Sequence, residues 1–509
     1  MPRTKLFTLL IILIMMANIT LVSGMQGAAV NNTLADGTQE LLNRLDAKLP
    51  ELLKQYSVPG VQIAVIDGDK VWTKEYGYAD ESDNKKVTAD TVFQVGSISK
   101  TVTAWGVMKL VDEGKIDLDA PVEKYIKRWN IPESQYDSAG VTVRRLLSHT
   151  AGLSLQGYAG VKPGEKLATL EESLSGETGG AGDVRIIYEP GSKFQYSGGG
   201  YTLLQLVIEE VSGMSFEKYM EQEILKPLGM ESSAFEWRED LIPETAKSYG
   251  VLGQTLPNYI FTEKAAAGLY TTASDLARFA LAGINMSGSD QAGRGVLKPE
   301  TAALMQQSVK NANWGLGYSF FKLPDGRIAV GHGGANRGWR AQFYIIPDSK
   351  QGVVMLTNSD TGDNFMGEVL AFWIEQLTGK LPVFYYNQAN FNTKVLIAAG
   401  AMGTLLLVFI AFVTRSITKK RRAYAEWKKL KLYKKAIRLL WPVILLIAWW
   451  VGLYAPVIHG WNVAEFLPIS IKWVTTAFTL WGCALVTAGI FPKVKNKGKI
   501  NEAPGELQA

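Results

Sequence analysis

The stretch Phe93-Gln-Val-Gly-Ser97-Ile-Ser-Lys100 places a serine hydroxyl and a lysine amine three residues apart. On a helix such residues share a face. A serine hydroxyl is a poor nucleophile at neutral pH and needs a neighbouring base. A lysine serves as that base only when burial or a nearby cation lowers its pKa towards neutrality. One helical turn from Ser97 to Lys100 would supply both groups for acyl transfer. The spacing alone is weak, because it recurs at Ser82–Lys85, Ser215–Lys218, Ser319–Lys322 and Ser416–Lys419. Context separates Ser97: an apolar run (Val92, Phe93, Val95), then Gly96, then an amphipathic helix-like segment from Ile98 to Glu113. Ser97 falls at the first turn, where unpaired backbone N–H groups can stabilise an oxyanion. Ser215 reads instead as a helix cap, Ser416 lies beside an apolar segment, and the other two sit in polar or turn-like surroundings. A capping serine remains the alternative for Ser97 itself.

Four further stretches resemble the serine β-lactamase and penicillin-binding-protein superfamily, in its class C-like branch of esterases, DD-peptidases and D-amino-acid peptidases. They are Val141-Thr-Val-Arg-Arg-Leu-Leu-Ser-His-Thr-Ala-Gly-Leu153, Glu189-Pro-Gly-Ser-Lys-Phe-Gln-Tyr196-Ser-Gly-Gly-Gly-Tyr201, Gly268-Leu-Tyr-Thr-Thr-Ala-Ser-Asp-Leu-Ala-Arg-Phe279 and Gly331-His332-Gly-Gly334. Their order and spacing agree with that branch from about Leu41 to Gly379. The resemblance implies that Ser97 is the acyl-enzyme nucleophile, Lys100 its base and Tyr196 a proton relay. Without it, Tyr196 reads as a core tyrosine. The resemblance also puts His332 and Gly334 on the strand walling the cleft, with Gly334 leaving room for substrate. By analogy, the N–H groups of Ser97 and Ala335 form the oxyanion hole, one such donor being worth ~3 kcal/mol of barrier. His149 reads as a structural loop residue.

Two positions depart from the branch. Gly198 stands where the second motif usually carries an asparagine. His332 stands where efficient β-lactamases carry a lysine for the drug's carboxylate, which a neutral imidazole attracts far less. Both favour an esterase or a peptidase/amidase over β-lactam hydrolysis. Gln94 and Gly198 occupy positions where D-amino-acid peptidases of this branch can carry acidic or hydroxyl groups for substrate recognition.

The elements that would position these residues are short apolar strands at Val61–Ile66, Phe343–Ile346 and Val353–Asn358, with helix-like segments such as Tyr201–Val211 and Phe216–Leu225 between them. Strands at both ends with helices between predict an α/β (α+β) fold: a mixed sheet flanked by helices, plus an all-α region. Gly157–Ala181 reads as a loop near the cleft, either a lid or a solvated connector. Tyr385–Asn392 reads as a short polar linker.

Beyond it, three apolar stretches near 395–414, 439–457 and 473–491 approach the ~20 residues that cross a bilayer. Few polar residues interrupt them, which speaks against an ion pathway. The connection from Arg415 to Arg438 carries eleven Lys/Arg and one acid, Glu426, whereas Ile458 to Ser470 carries no Lys or Arg. The positive-inside rule puts that basic loop and the tail in the cytoplasm and the hydrolase part outside. Arg3 and Lys5 before an apolar run from Leu6 to Val22 read as a signal peptide over residues 1–24, an uncleaved anchor being the alternative. The expected organisation is therefore a leader at 1–24, an extracytoplasmic domain at 25–392 and a membrane domain at 393–509.

The net charge of +5 is topological. With the basic loop and tail set aside, acids outnumber bases, so nucleic acid is not an expected partner. The single cysteine, Cys483, sits in the third apolar stretch, so the outer domain has no thiol chemistry. Three histidines without a His-x-x-x-His pair predict no catalytic metal, and no phosphate-binding glycine loop or other cofactor signature is present. The expected partners are a peptide or small-molecule amide or ester substrate and membrane lipid. The resulting expectation is a membrane-anchored exported serine hydrolase acting on an amide or peptide bond. A class C-like domain followed by three membrane helices resembles peptidases that trim an N-acyl-D-amino-acid leader from antibiotic precursors. A DD-peptidase or low-efficiency β-lactamase or esterase is the alternative. A non-catalytic penicillin-binding sensor would need a cytoplasmic output domain that the loop and tail hardly provide.

Overall fold

The strand β1, Gly60–Asp67, is buried along all but its last residue. A strand covered on both faces belongs at the centre of a sheet, and β1 stands there in the computed structural model. That model describes residues 34–177, 182–238, 240–286, 291–458 and 470–494. The expected leader, most of the lysine-free loop and the end of the tail lie outside the described residues. The chain divides into two compact units, one within 29–386 and the other within 387–456 and 467–509.

In the first unit, β1 is followed by β2 (Lys70–Asp80), β3 (Lys85–Lys86), β4 (Ser319–Lys322), β5 (Ile328–Asn336), β6 (Trp339–Ile346) and β7 (Gln351–Thr357). They form one seven-stranded sheet in the order β3-β2-β1-β7-β6-β5-β4. A sheet flanked by helices was expected, and it is present. Its pairings are antiparallel throughout rather than mixed. The reason is local: tight turns join β1 to β2 and β5 through β7, so no crossover is needed within either group. The N- and C-terminal halves close on each other where β1 pairs with β7, Val61 opposite Thr357.

Five helices matter for the site. They are α1 (Leu34–Tyr56), α2 (Ile98–Asp112), α3 (Gly198–Ser212), α4 (Ala273–Ala282) and α5 (Gly362–Thr378). Phe343 meets Phe279 of α4 at 6.1 Å between ring centroids on one face of the sheet. On the other face α5 starts against Arg340, and α1 packs on α5 with the Arg44 guanidinium 4.0 Å from the Phe372 ring centroid. The segment read as amphipathic, Ile98 to Glu113, folds as a helix to Asp112 and is buried on nearly every side. A helix buried all round is a core helix, and α2 carries the Ser97 turn from the middle of the unit. The connector 157–181 is not featureless. It includes a short helix, Leu170–Leu174, closed by a capping box in which Thr169 and Glu172 exchange hydrogen bonds.

The second unit takes in most of α6 (Val383–Thr418) and of α7 (Leu432–Ile458), and all of α8 (Ile471–Ile490). All three are long and apolar enough to cross a membrane. Tyr385–Asn392, read as a linker, is helical, because no proline or glycine stops α6 from extending beyond its apolar stretch. Within this unit Trp481 Nε1 donates to the Met402 carbonyl at 2.9 Å, and the Trp449 and Phe478 rings stack at 4.6 Å.

Candidate active site

The turn that carries Ser97 is built by two close backbone approaches. The short strand Phe93–Gln94 pairs with Tyr270–Thr271, and the chain then bends through Gly96 at φ +50°. A Cβ on Gly96 would stand 2.7 Å from the Ala335 nitrogen and oxygen. A Cβ on Gly334 would run into the Val95 carbonyl. Only bare backbone allows β5 this near the turn, and positive φ adds a second reason for glycine at 96. Gly334 was expected to leave room for substrate. Its missing side chain instead makes room for Val95, which is a packing requirement of the turn.

Ser97 opens α2 and makes no side-chain cap. The capping is done around it: Ser99 Oγ donates to the Gly96 carbonyl at 2.6 Å and accepts the Leu269 N–H at 2.9 Å. Ser97 Oγ is thus left to Lys100, whose Nζ lies 3.0 Å away. Lys100 is 2% exposed and also donates to the Ala266 carbonyl at 2.7 Å. Among the described residues no carboxylate pairs with it. Burial without a counter-charge disfavours the ammonium and brings its pKa down to about 7. Near neutral pH the amine is therefore substantially deprotonated, and its lone pair sits at hydrogen-bond distance from the serine hydroxyl.

Tyr196 is half-buried just before α3, with the Lys100 Nζ 5.1 Å from its ring centroid. His332, on β5, places its ring 6.2 Å from that of Tyr196 and 5.3 Å from that of Trp314. Burial, and then the neighbouring Lys100, lower the His332 pKa to about 3, so its imidazole is neutral. The Gly331 carbonyl faces β4, where it accepts from Ser319 Oγ at 2.7 Å. Strand alternation turns the backbone groups of Gly333 and Ala335 to the same edge. Pairing with β4 ends at Gly331, so among the described residues no neighbouring strand covers that edge from His332 to Asn336. The Ala335 N–H therefore lies on an open strand edge beside the nucleophile turn.

This constellation has relatives. A family model described as Beta-lactamase matches residues 45–375, more than half of the chain. The chain belongs to the beta-lactamase family. Penicillin-binding protein 4 of Amycolatopsis lactamdurans is 29% identical over 346 residues, 64% of this chain and 88% of that protein. Protein flp of Staphylococcus aureus strain MRSA252 is 24% identical over 488 residues, 88% of this chain and 90% of that protein. Its span is longer than the family match. The crystal structure of SurE with D-Leu superposes with a TM-score of 0.55 at 26% identity, covering 68% of this chain and 78% of that one.

Within this beta-lactamase domain, two residues named for recognition lie elsewhere than expected. Gln94 is 1% exposed. Its Nε2 donates to the Tyr259 carbonyl and the Tyr270 hydroxyl, both at 2.8 Å, and its Oε1 accepts from Asn336 Nδ2 at 2.9 Å. With both ends consumed, Gln94 ties the nucleophile strand to β5 and has nothing left for substrate. Gly198 is buried beneath the segment Gln156–Tyr158: a Cβ there would stand 2.9 Å from the Gln156 carbonyl oxygen and 3.2 Å from Tyr158 Cε2. The Tyr158 hydroxyl is fixed 2.7 Å from Thr202 Oγ1, so the aromatic ring covers the position. Sequence reasoning missed His149, whose ring centroid lies 4.3 Å from that of Tyr196. The segment Ser148-His149-Thr150 resembled the family, and nothing local shows that it folds against residues 195–197.

Proposed function

We propose that the chain is a membrane-anchored serine hydrolase that cleaves an amide or peptide bond through an acyl-enzyme on Ser97. The observation that carries this is the Ser97–Lys100 pair: a hydroxyl 3.0 Å from a buried amine whose pKa is brought down to about 7. Lys100 takes the serine proton as Oγ attacks the carbonyl carbon. The backbone N–H groups of Ser97 and Ala335 receive the oxyanion. Tyr196 and Lys100 deliver the proton to the leaving amine, and the same pair then activates water to release the acyl group. The preferred substrates are N-acylated or D-amino-acid-containing peptides, antibiotic precursors among them, met on the outer face of the membrane. Two observations favour this class. His332 is neutral and buried, so it offers no cation for a β-lactam carboxylate, and a structural relative, SurE, has been solved with D-Leu.

The second reading, a DD-peptidase or low-efficiency β-lactamase, draws on the likeness to penicillin-binding protein 4. Intact-mass spectrometry of the detergent-solubilised full chain separates the two. The protein is mixed with a fluorophosphonate, benzylpenicillin, a D-Ala-D-Ala peptide and matched N-acyl-D- and N-acyl-L-amino-acid amides, with Ser97→Ala as control. Cleavage of the N-acyl-D-amides, absent in the control, supports the first reading. Penicilloyl adducts with D-Ala release move the assignment to the second. A wild-type chain inert to every probe leaves a binding protein and overturns both.

A further inference from the structure

His149 stands at φ +56°, in the left-handed region that few residues with a side chain adopt. The bend turns both its carbonyl and its ring towards one short segment. The His149 carbonyl accepts the Gln195 N–H at 2.7 Å, and His149 Nδ1 accepts the Ser197 N–H at 3.1 Å. These are the two neighbours of Tyr196. The imidazole also lies against the Tyr196 ring, with 4.3 Å between centroids and 34° between planes. One residue, 2% exposed, therefore grips the tyrosine's main chain on both flanks and its ring on one face.

We propose that His149 is a positioning residue that sets the Tyr196 phenol against Lys100 for proton transfer, and that it does so only as the neutral imidazole protonated on Nε2. This rests on the hydrolase reading above. The tautomer follows from chemistry, since a backbone N–H only donates and Nδ1 must therefore carry a lone pair. A proton on Nδ1 would remove the Ser197 contact and set a cation beside Lys100. The ionisable groups facing the ring are Lys100, His332, Tyr196 and Tyr201, and among the described residues no carboxylate joins them. The aromatic wall is completed by Phe194 and Trp314, at 5.9 and 5.5 Å between centroids. A histidine that merely filled space would need none of the contacts to residues 195 and 197.

The test is a double-mutant cycle on the full chain in detergent, reading the second-order rate of fluorophosphonate labelling at Ser97. Tyr196→Phe is expected to slow labelling by about 100-fold, and His149→Phe, which keeps a ring but loses the acceptor, by no more than that, about 30-fold. In the Tyr196→Phe background His149→Phe should cost less than about threefold, because a residue acting through Tyr196 has nothing left to position. Equal losses in both backgrounds overturn the proposal, as does a Tyr196→Phe chain that labels at the wild-type rate. His149→Asn places an amide oxygen near the Nδ1 position and tolerates positive φ, so it should stay within about fivefold of wild type. If His149→Phe fails to fold, a folded Asn variant as slow as Ser97→Ala is the overturning result. Wild type that labels, with His149 effects independent of Tyr196, removes this inference alone. Wild type that reacts with no probe removes the hydrolase reading, and this inference with it.

Discussion

Ser97 and Lys100 share one turn of a buried helix, whereas Ser319 and Lys322, at the same spacing, stand on the edge strand β4. On a strand, residues three apart point to opposite faces. Ser319 Oγ is committed to the Gly331 carbonyl, and the Lys322 side chain is exposed to water. Its solvated amine lacks the desolvation that acts on Lys100. Lys100 is held away from water, and nothing neutralises it but deprotonation. The spacing brings two groups together only on a helix, and burial of the amine is what turns the contact into chemistry. The lysines at 218 and 419 are exposed as well, and Lys85 pairs at the surface with Glu244.

The largest contrast is expected at the nucleophiles. Ser97→Ala should reduce fluorophosphonate labelling by about 10⁴-fold or more, with Ser319→Ala labelling like wild type in the same intact-mass assay. A Ser97→Ala chain that still labels at full rate places the nucleophile elsewhere. The lysines come next. Lys100→Met keeps most of the buried volume and removes the amine, for a loss of about 10²- to 10⁴-fold, the usual weight of a general base. Lys322→Met should remain within twofold of wild type, a ratio of about one.

The pH profile sharpens the same contrast. Acylation needs the deprotonated amine, so its rate should fall about tenfold per pH unit below a midpoint near 7 and level off above it. His332, held near 3, stays neutral across that window and contributes no second limb there. A rate that is flat from about pH 5 to 9 removes Lys100 as the base.

Smaller effects test the packing behind the pair. Gly334→Ala drives a methyl into the Val95 carbonyl and should lower stability by about 1–3 kcal/mol, read as a fall in Tm, while also slowing acylation. Gly333→Ala, with 3.9 Å to its nearest neighbour, should melt like wild type. Equal Tm values for the two would show that β5 yields where the close approach predicts it does not. The smallest change is Ser319→Ala, which removes one hydrogen bond to Gly331 at about 0.5–1.5 kcal/mol.

What was legible in the sequence follows the range of the interaction. Ser97 and Lys100 are i and i+3 on one helix, so their meeting is a local fact. The apolar runs that become β1, β6, β7 and the three helices long enough to cross a membrane are also local. Tyr196 was legible only through likeness to a family, because its approach to Lys100 spans nearly a hundred residues of chain. Gln94 was named for recognition because it occupies a position where D-amino-acid peptidases of the resembled branch can carry such a group. Its partners, Asn336, Tyr259 and Tyr270, come from distant segments, and no spacing rule reveals that they use up its amide. The hold of His149 on residues 195 and 197 was hidden for the same reason. The antiparallel sheet was missed because strand direction depends on which turns are tight, and the pairing of β1 with β7 joins the two ends of the domain.

The meeting of Gly96 with Ala335, and of Gly334 with Val95, has an evolutionary consequence. Where main chain touches main chain, the distance is set by atoms that every sequence shares. Mutation elsewhere has little purchase on it. The separation between the nucleophile turn and the open edge of β5 is therefore heritable as a unit, so long as two glycines persist. The connector around Tyr158 and the segment around Tyr259 share the Val161–Ile260 bridge and are held besides by side chains: the Tyr158 hydroxyl at Thr202, Thr262 Oγ1 on the Ala168 carbonyl at 2.7 Å, and Gln94 Nε2 on the Tyr259 carbonyl. Those last contacts run through side chains, so unlike the glycine approach they can change one substitution at a time.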